Sequence, residues 1–454
     1  MPIVIPIEMN AAGYAKFIEC KKLPRYEVKG DNVITDEESF NYVFNGGQAP
    51  SIKCATDKAM LFDYQLDIVE RALQRKRYAS FLDCGLGKTR IELAWANSLP
   101  GRVLFQCPLA VVKDIQDEAW RMGIGTSNLR SGPWSEKIGI INFESMREMD
   151  MRGVVGIVLD ESSILKNGDG AISEYLTDLA AGLEYRLAAS ATPSPNDQSE
   201  YATHSKFLGY SASHKEFYSR FFRKDGTDWV LKPHATDAFY HNLASWACYI
   251  KSPSELGYQR GGELDHEPNY IEIETSDTGY TPDGKMFAVD MSLGDAGKVF
   301  GKFRSDIETD RFAKSCDAVK GKASVVWCSR NSEEDAFKVE TKGTVINGST
   351  SIEDRIEIIE AFRTGQIKTL ISKPKVLGFG VNIPQAECHL YSGYDFSFEK
   401  FYQAVRRSHR FGRSGVLDVY IPVAECERPV WESLSAKLKT FENDCIQLQK
   451  RFFQ

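Results

Sequence analysis

Residues Phe81 to Arg90, FLDCGLGKTR, hold the densest chemistry in the chain. Gly85 and Gly87 admit backbone angles that a side chain forbids, so the N–H groups from Gly85, Leu86 and Gly87 on to Arg90 can turn inward onto phosphate oxygens. An apolar pair precedes the run and a helix-like IELAWANSL follows it, which puts the positive end of a helix beside those oxygens. Lys88 would neutralise the β- and γ-phosphates and Thr89 would hold Mg²⁺. The run departs from GxxxxGK[ST] at Leu82, and read alone it is also compatible with a chance glycine turn.

Two further groups suit the same chemistry. Asp160 and Glu161 end the apolar run VVGIVL, and carboxylates at the end of a buried strand sit where an open α/β sheet binds its ligand. Asp160 would hold Mg²⁺ and Glu161 would orient and deprotonate water; a solvated turn is the alternative. In the helix-like FYQAVRRSHRFGR, Gln403, Arg407 and Arg410 fall at i, i+4 and i+7 and share one face. Two guanidiniums on that face fit arginine fingers for a γ-phosphate, against a solvated face or a nucleic-acid patch. Arg406 points elsewhere and suits a phosphodiester or a carboxylate. Gln65 opens a helix ahead of the phosphate loop, and its amide can donate to and accept from an adenine edge at once.

The elements that must position these groups alternate. LFDYQLDIVERALQRKRYASFLD reads as a helix leading into a strand, and RVLFQCP, IGIINF, VVGIVLD and YRLAAS read as buried parallel strands. A second α/β unit follows from about Arg304, with strands in ASVVWCS, TVINGS, IKTLISK and HLYSGY and no phosphate loop. Between the units the rhythm is lost and aromatics crowd together: Phe207, Phe217, Tyr218, Phe221, Phe222, Trp229, Phe239, Tyr240, Trp246 and Tyr249. Such rings can stack on unpaired bases, but the spacing of Phe239, Asn242, Leu243, Trp246 and Ile250 marks a packed helix face. A glycine-rich loop is expected over 276–298, and Gly378 and Gly380 permit a close backbone approach. The organisation is an accessory element over 1–55, a nucleotide-binding lobe over 56–200, a linker over 201–303, a second lobe over 304–424 and a closing helix over 425–454.

With 454 residues, 42% hydrophobic and 26% charged, the chain has room for several cores. A net charge of −7 means that a nucleic-acid partner must be met by a local basic groove. The ten cysteines are scattered without a CxxC pair. With no signal peptide recognised, this points to reduced thiols in a cytoplasm-like compartment. No apolar run reaches the roughly 18 residues of a membrane span.

In this order the segments resemble the superfamily-two helicases, and within them the Swi/Snf-type ATPases and their shorter phage-encoded DEAD/DExx-box relatives. The likeness runs from about Leu61 to Val423: DYQ, GLGKT, CPLAVVKDIQDE, DESSILKN, SATPSPN, WCSRNSEED, KVLGFGVN and QAVRRSHRFGR. It implies an α/β fold of two tandem RecA-like lobes. It also implies ATP and Mg²⁺, with Gln65 on adenine, Lys88 and Thr89 on phosphate and metal, Asp160 on the metal, Glu161 on water, Gln403 in the cleft, and Arg407 and Arg410 on the γ-phosphate. Leu82, Ile115 and Arg406 depart from the remodeller pattern, and the last two lean toward the phage type. The activity implied is an ATP-dependent helicase or translocase on duplex or forked DNA, RNA being the less expected substrate. Replication or recombination proteins of a phage or its host are the expected company. A nucleotide-gated clamp that hydrolyses ATP only for release is the alternative.

Overall fold

A computed structural model describes residues 2–23, 26–45, 52–148, 150–168, 170–258, 266–275, 308–377, 381–393, 397–410, 413, 415–424 and 427–453. The expected loop at 276–298 and the pair Gly378 and Gly380 lie outside these residues. The chain divides into two compact units, Met1–Gly261 with Thr440–Gln454, and Gly262–Lys439.

The first unit opens with β1 (Ile3–Pro6), α1 (Ala11–Cys20), β2 (Tyr26–Lys29), β3 (Asn32–Thr35) and α2 (Glu37–Phe40). The strands form an antiparallel sheet in the order β1-β3-β2 around its own small core of Ile5, Cys20, Leu23, Tyr26 and Val33. This element is tied to the rest of the unit through polar contacts. Arg220 sits 3.9 Å over the Tyr26 ring and donates to the Tyr26 carbonyl, and Asn242 donates to the Leu23 carbonyl.

Next come α3 (Asp63–Arg75), β4 (Arg77–Leu82), α4 (Lys88–Ser98), β5 (Arg102–Cys107), α5 (Val112–Arg121), β6 (Thr126–Asn128), β7 (Ile138–Asn142) and β8 (Val154–Leu159). They are followed by α6 (Ala171–Ala181), β9 (Tyr185–Ser190), α7 (Tyr201–Leu208), α8 (His214–Phe221), β10 (Phe222–Asp225), β11 (Asp228–Leu231), α9 (Thr236–Trp246) and β12 (Ala247–Ile250). Among the described residues a seven-stranded sheet runs β12-β4-β9-β8-β5-β7-β6, every pair parallel. A parallel sheet is covered on both faces. That is why β5, β7, β8 and β9 are near-continuous apolar runs and nearly all their residues are buried.

The second unit contains β13 (Asn269–Thr275), α10 (Glu308–Val319), β14 (Ser324–Trp327), α11 (Asn331–Thr341), β15 (Thr344–Ile346) and α12 (Ile352–Arg363). It continues with β16 (Thr369–Ser372), β17 (Cys388–Tyr391), α13 (Phe398–Val405), β18 (Asp418–Ala424) and the start of α14 (Arg428–Gln449). Its sheet, order β13-β18-β17-β14-β16-β15, is again parallel throughout. Two parallel sheets flanked by helices are the two RecA-like lobes that the sequence implies.

The segment 201–303, read from sequence as a linker, supplies an edge strand to each sheet: β12 pairs with β4, and β13 with β18. The strand Ala247–Ile250 follows α9 with no turn residue between them, so nothing in the local sequence separates it from the helix. Eight of the ten crowded aromatics are buried, among them Phe207, Phe217, Phe239 and Trp246 at 0% exposure. The packing reading therefore holds for most of them. Tyr218 and Trp229 are the two left half-buried.

The end of α14 returns to this aromatic core. Asp444, 1% exposed, accepts from the Tyr240 hydroxyl at 2.7 Å and from the Gln198 amide at 2.5 Å. Burial pushes its carboxyl up from 3.8 to about 6. The folded chain thus holds this proton more tightly than the unfolded chain, and the stability present below the unfolded value is lost as pH rises toward the folded one. Asp444→Asn keeps an acceptor for both partners. It is expected to melt above the parent protein at pH 8, by an amount set by up to roughly 3 kcal/mol, and to match it near pH 4. Equal melting temperatures at pH 8 would contradict this. Among the described residues no helix is long and apolar enough to cross a membrane.

Candidate active site

The phosphate loop joins β4 to α4 at the carboxyl end of the first sheet. Gly85 and Gly87 have φ of 91° and 73°, and Gly87 is the cap from which α4 starts at Lys88. The loop is strapped from both sides. Asp83 N–H donates to the Ile250 carbonyl of β12, and the Leu86 carbonyl accepts from the Tyr64 hydroxyl at 2.9 Å and from Gln65 Nε2 at 3.0 Å. A Cβ on Gly87 would meet Gln65 Nε2 at 2.4 Å, so the glycine is needed for space as well as for its angle.

Gln65, read from sequence as an adenine ligand, is 1% exposed. Its oxygen accepts from Phe62 N–H at 3.0 Å while its nitrogen serves Leu86 and Tyr64. In this structure both ends of the amide are engaged within the protein, tying α3 to the loop. Arg90 is likewise committed through its side chain, to Glu118 of α5 at 2.6 Å. The half-buried Lys88 ammonium lies 3.0 Å from the Leu82 carbonyl, with half-buried Thr89 beside it on the first turn of α4.

Asp160 and Glu161 follow β8, the strand next to β9 and β5, so the sheet itself brings them to the loop. Asp160 N–H donates to the Gln106 carbonyl and Asp160 Oδ1 accepts from Glu161 N–H at 2.9 Å. Glu161 has φ 52°, a left-handed conformation that a non-glycine residue adopts at a cost and that re-aims the side chain after the strand. Burial first, then the Glu161 charge, push the Asp160 carboxyl up to about 7 against the pull of Lys88.

A third carboxylate, unremarked in the sequence reading, joins them. Glu92 is 0% exposed, and burial followed by the Asp160 charge drives its carboxyl well above the ordinary range. It stands four residues after Lys88 on α4, a lone acid within the apolar IELAWA, and that spacing was the available signal. Three carboxyl groups around one ammonium leave the cluster short of positive charge, which Mg²⁺ brought with the phosphates would offset. Mg²⁺ commonly takes one or two protein oxygens and otherwise phosphate and water; Thr89 and Asp160 would be that pair. Among the described residues no group of three metal-binding side chains is close enough to hold an ion alone.

The turn after Glu161 is held by another residue outside the sequence reading. Ser162 Oγ and His204 Nε2 are 3.0 Å apart with both residues at 0% exposure, and burial pushes the imidazole down to about 4, so it is neutral at pH 7. Ser190 Oγ, at the end of β9, accepts from Thr192 N–H, and α7 ties the turn after Glu161 to neighbouring structure through His204.

In the second unit α13 ends at Val405, and residues 406–410 form turns. The shared helix face expected for Gln403, Arg407 and Arg410 therefore corrects to a helix followed by a turn. The reason lies in the strand beside it. The Trp327 indole N–H donates to His389 Nδ1 at 3.2 Å, which leaves Nε2 to carry the proton toward Ser408 Oγ at 2.7 Å. Ile383 N–H donates to the Arg407 carbonyl, fixing the same turn from the other side. Gln403, Arg407 and Arg410 are half-buried.

Arg406, 4% exposed, packs over the Tyr402 ring at 4.8 Å and faces the Glu267 carboxylate at 3.7 Å, so of its two expected partners it has the carboxylate. Arg413 is structural, donating to the carbonyls of Ala386, Glu387 and Val416. Lys373 is drawn to Glu334 and Asn331, whereas Lys375 is exposed.

Residues 310–412 match the family model of the helicase conserved C-terminal domain. A curated relative, the TATA-binding protein-associated factor BTAF1 of Arabidopsis thaliana, is 30% identical over 92 residues, which are 19% of this chain and 4% of that protein. The chain thus matches only a small part of that relative's length. Among solved structures, the SWI2/SNF2 ATPase core of Sulfolobus solfataricus, in complex with double-stranded DNA, aligns with a TM-score of 0.41 and 17% identity, over 87% of this chain and 95% of that one.

Proposed function

We propose that this protein is a nucleic-acid-dependent ATPase that moves along DNA. The observation that supports it most is the gathering of Lys88, Asp160, Glu161 and Glu92 at the loop between β4 and α4, in a chain whose second unit matches a helicase domain. In this reading the loop amides and Lys88 hold the triphosphate, and Glu161 takes the proton of the attacking water. Bound Mg²⁺ would neutralise phosphate charge. Arg407 and Arg410, presented on the turn that His389 and Ile383 fix, complete the site for the γ-phosphate. Supplying those guanidiniums from a separate lobe ties hydrolysis to lobe movement, and lobes that grip a strand alternately step along it.

Contacts to the strand are then mostly to phosphates, so binding should be salt-dependent and weakly sequence-dependent. The affinity to the phage-type, DExx-box branch rests on Ile115, buried in the first core, and on Arg406, paired with Glu267. Whether strands are separated or the duplex is tracked is decided by displacement assays. Tracking is the expected result: release of a triplex-forming strand at a rate that depends on ATP, with a forked duplex left paired. Failure to displace either substrate, with ATP hydrolysis intact, would favour a clamp that hydrolyses only for release.

A further inference from the structure

We propose that the hairpin β10–β11 and the ring pair formed by Trp229, next to its closing Asp225–Asp228 pair, and Tyr218 of α8 make a contact for unpaired nucleotides, an inference that rests on the DNA-motor reading above. Tyr218 and Trp229, the two crowded aromatics that the core does not bury, stack on each other with centroids 4.6 Å apart and planes 25° apart. Trp229 lies opposite Lys224 in the hairpin register, and the Lys224 ammonium stands 5.5 Å from the indole centroid. Arg223 on the adjoining position is exposed, with Asp225 3.6 Å away, and Val230 opposite it is 39% exposed.

The location is as informative as the composition. The strand β11 lies against the turn Gln198–Glu200, which follows the SATPSPN segment at the carboxyl end of β9. The hairpin thus emerges at the edge of the first sheet that carries the phosphate loop and Asp160. Charge favours the same partner: residues 213–233 hold five basic and three acidic side chains in a chain of net charge −7. Two stacked rings beside exposed cations suit a base with its phosphate. The base takes the ring edge and face that Lys224 now shares, and Lys224 swings to the phosphate. An exposed ammonium-on-ring contact is weaker than base stacking, so the exchange is favourable.

The test uses the full chain with fluorescent oligo-dT and, separately, a blunt duplex, read by anisotropy. Trp229→Ala should weaken oligo-dT binding about tenfold, with less than twofold change on the duplex. Trp229→Phe should restore most of the affinity, which a folding defect would not allow. Removing both cations, Arg223→Ala with Lys224→Ala, should lower the slope of log affinity against log salt by about one to two. ATP turnover without DNA should be unchanged in all of these variants. Wild-type oligo-dT affinity in Trp229→Ala, or an equal loss on both substrates, overturns the proposal while leaving the motor reading in place. Absence of binding by the parent protein to either substrate sinks both.

Discussion

Glu161→Gln is expected to slow ATP turnover about a thousandfold, within the range for loss of a general base, while ATP still binds. The substitution keeps the size of the side chain and removes its basicity. It also leaves the backbone of the turn alone, where φ is 52° and the Asp160 carboxylate accepts the Glu161 N–H. The loop that would hold the triphosphate is strapped by Tyr64, Gln65 and Ile250. Binding and chemistry should therefore separate. Phosphate release measures the first quantity and fluorescent-nucleotide affinity the second. Turnover within tenfold of the parent would remove Glu161 from the proposed chemistry.

Replacing Arg407 and Arg410 together by alanine should have an effect of comparable size. Arginine fingers supply roughly 10³ or more in rate, and the two guanidiniums sit on a turn held by Ser408 and the Arg407 carbonyl, so the backbone that presents them should survive the change. Lysine at both positions should restore little, because an ammonium lacks the planar fork. Arg406→Met is the informative control. That side chain is buried against Tyr402 and Glu267, so its loss should lower the melting temperature and leave turnover per folded molecule near the parent value. Unchanged turnover in the double variant would mean that the second lobe contributes nothing to the γ-phosphate.

How much was legible in the sequence follows from how local each signal is. The phosphate loop, the carboxylate pair and the strands of both sheets are written in contiguous residues, and Gly87, Asp160 and Glu161 stand where the motif put them. Long-range partners left no such trace. Gln65 binds the loop across a separation of 21 residues and His204 meets Ser162 across 42, so neither pairing can be read from spacing. The helix period runs unbroken through Arg410 in the sequence, since Arg and Ser interrupt nothing locally, yet His389, Ser408 and Ile383 end the helix at Val405 by tertiary bonds. Strand β12 has no signature of its own in the sequence, because four buried residues following a helix carry neither alternation nor punctuation. The aromatic segment needed the structure to separate its buried rings from Tyr218 and Trp229, since composition says nothing about which face of a helix or hairpin meets solvent.

The dependence of ATP turnover on DNA tests the central claim most directly. With the full chain and Mg²⁺ present, turnover should rise saturably as DNA is added, and the DNA concentration at half-effect should climb steeply with salt. The same turnover with and without DNA, at low and at high salt alike, would contradict the account.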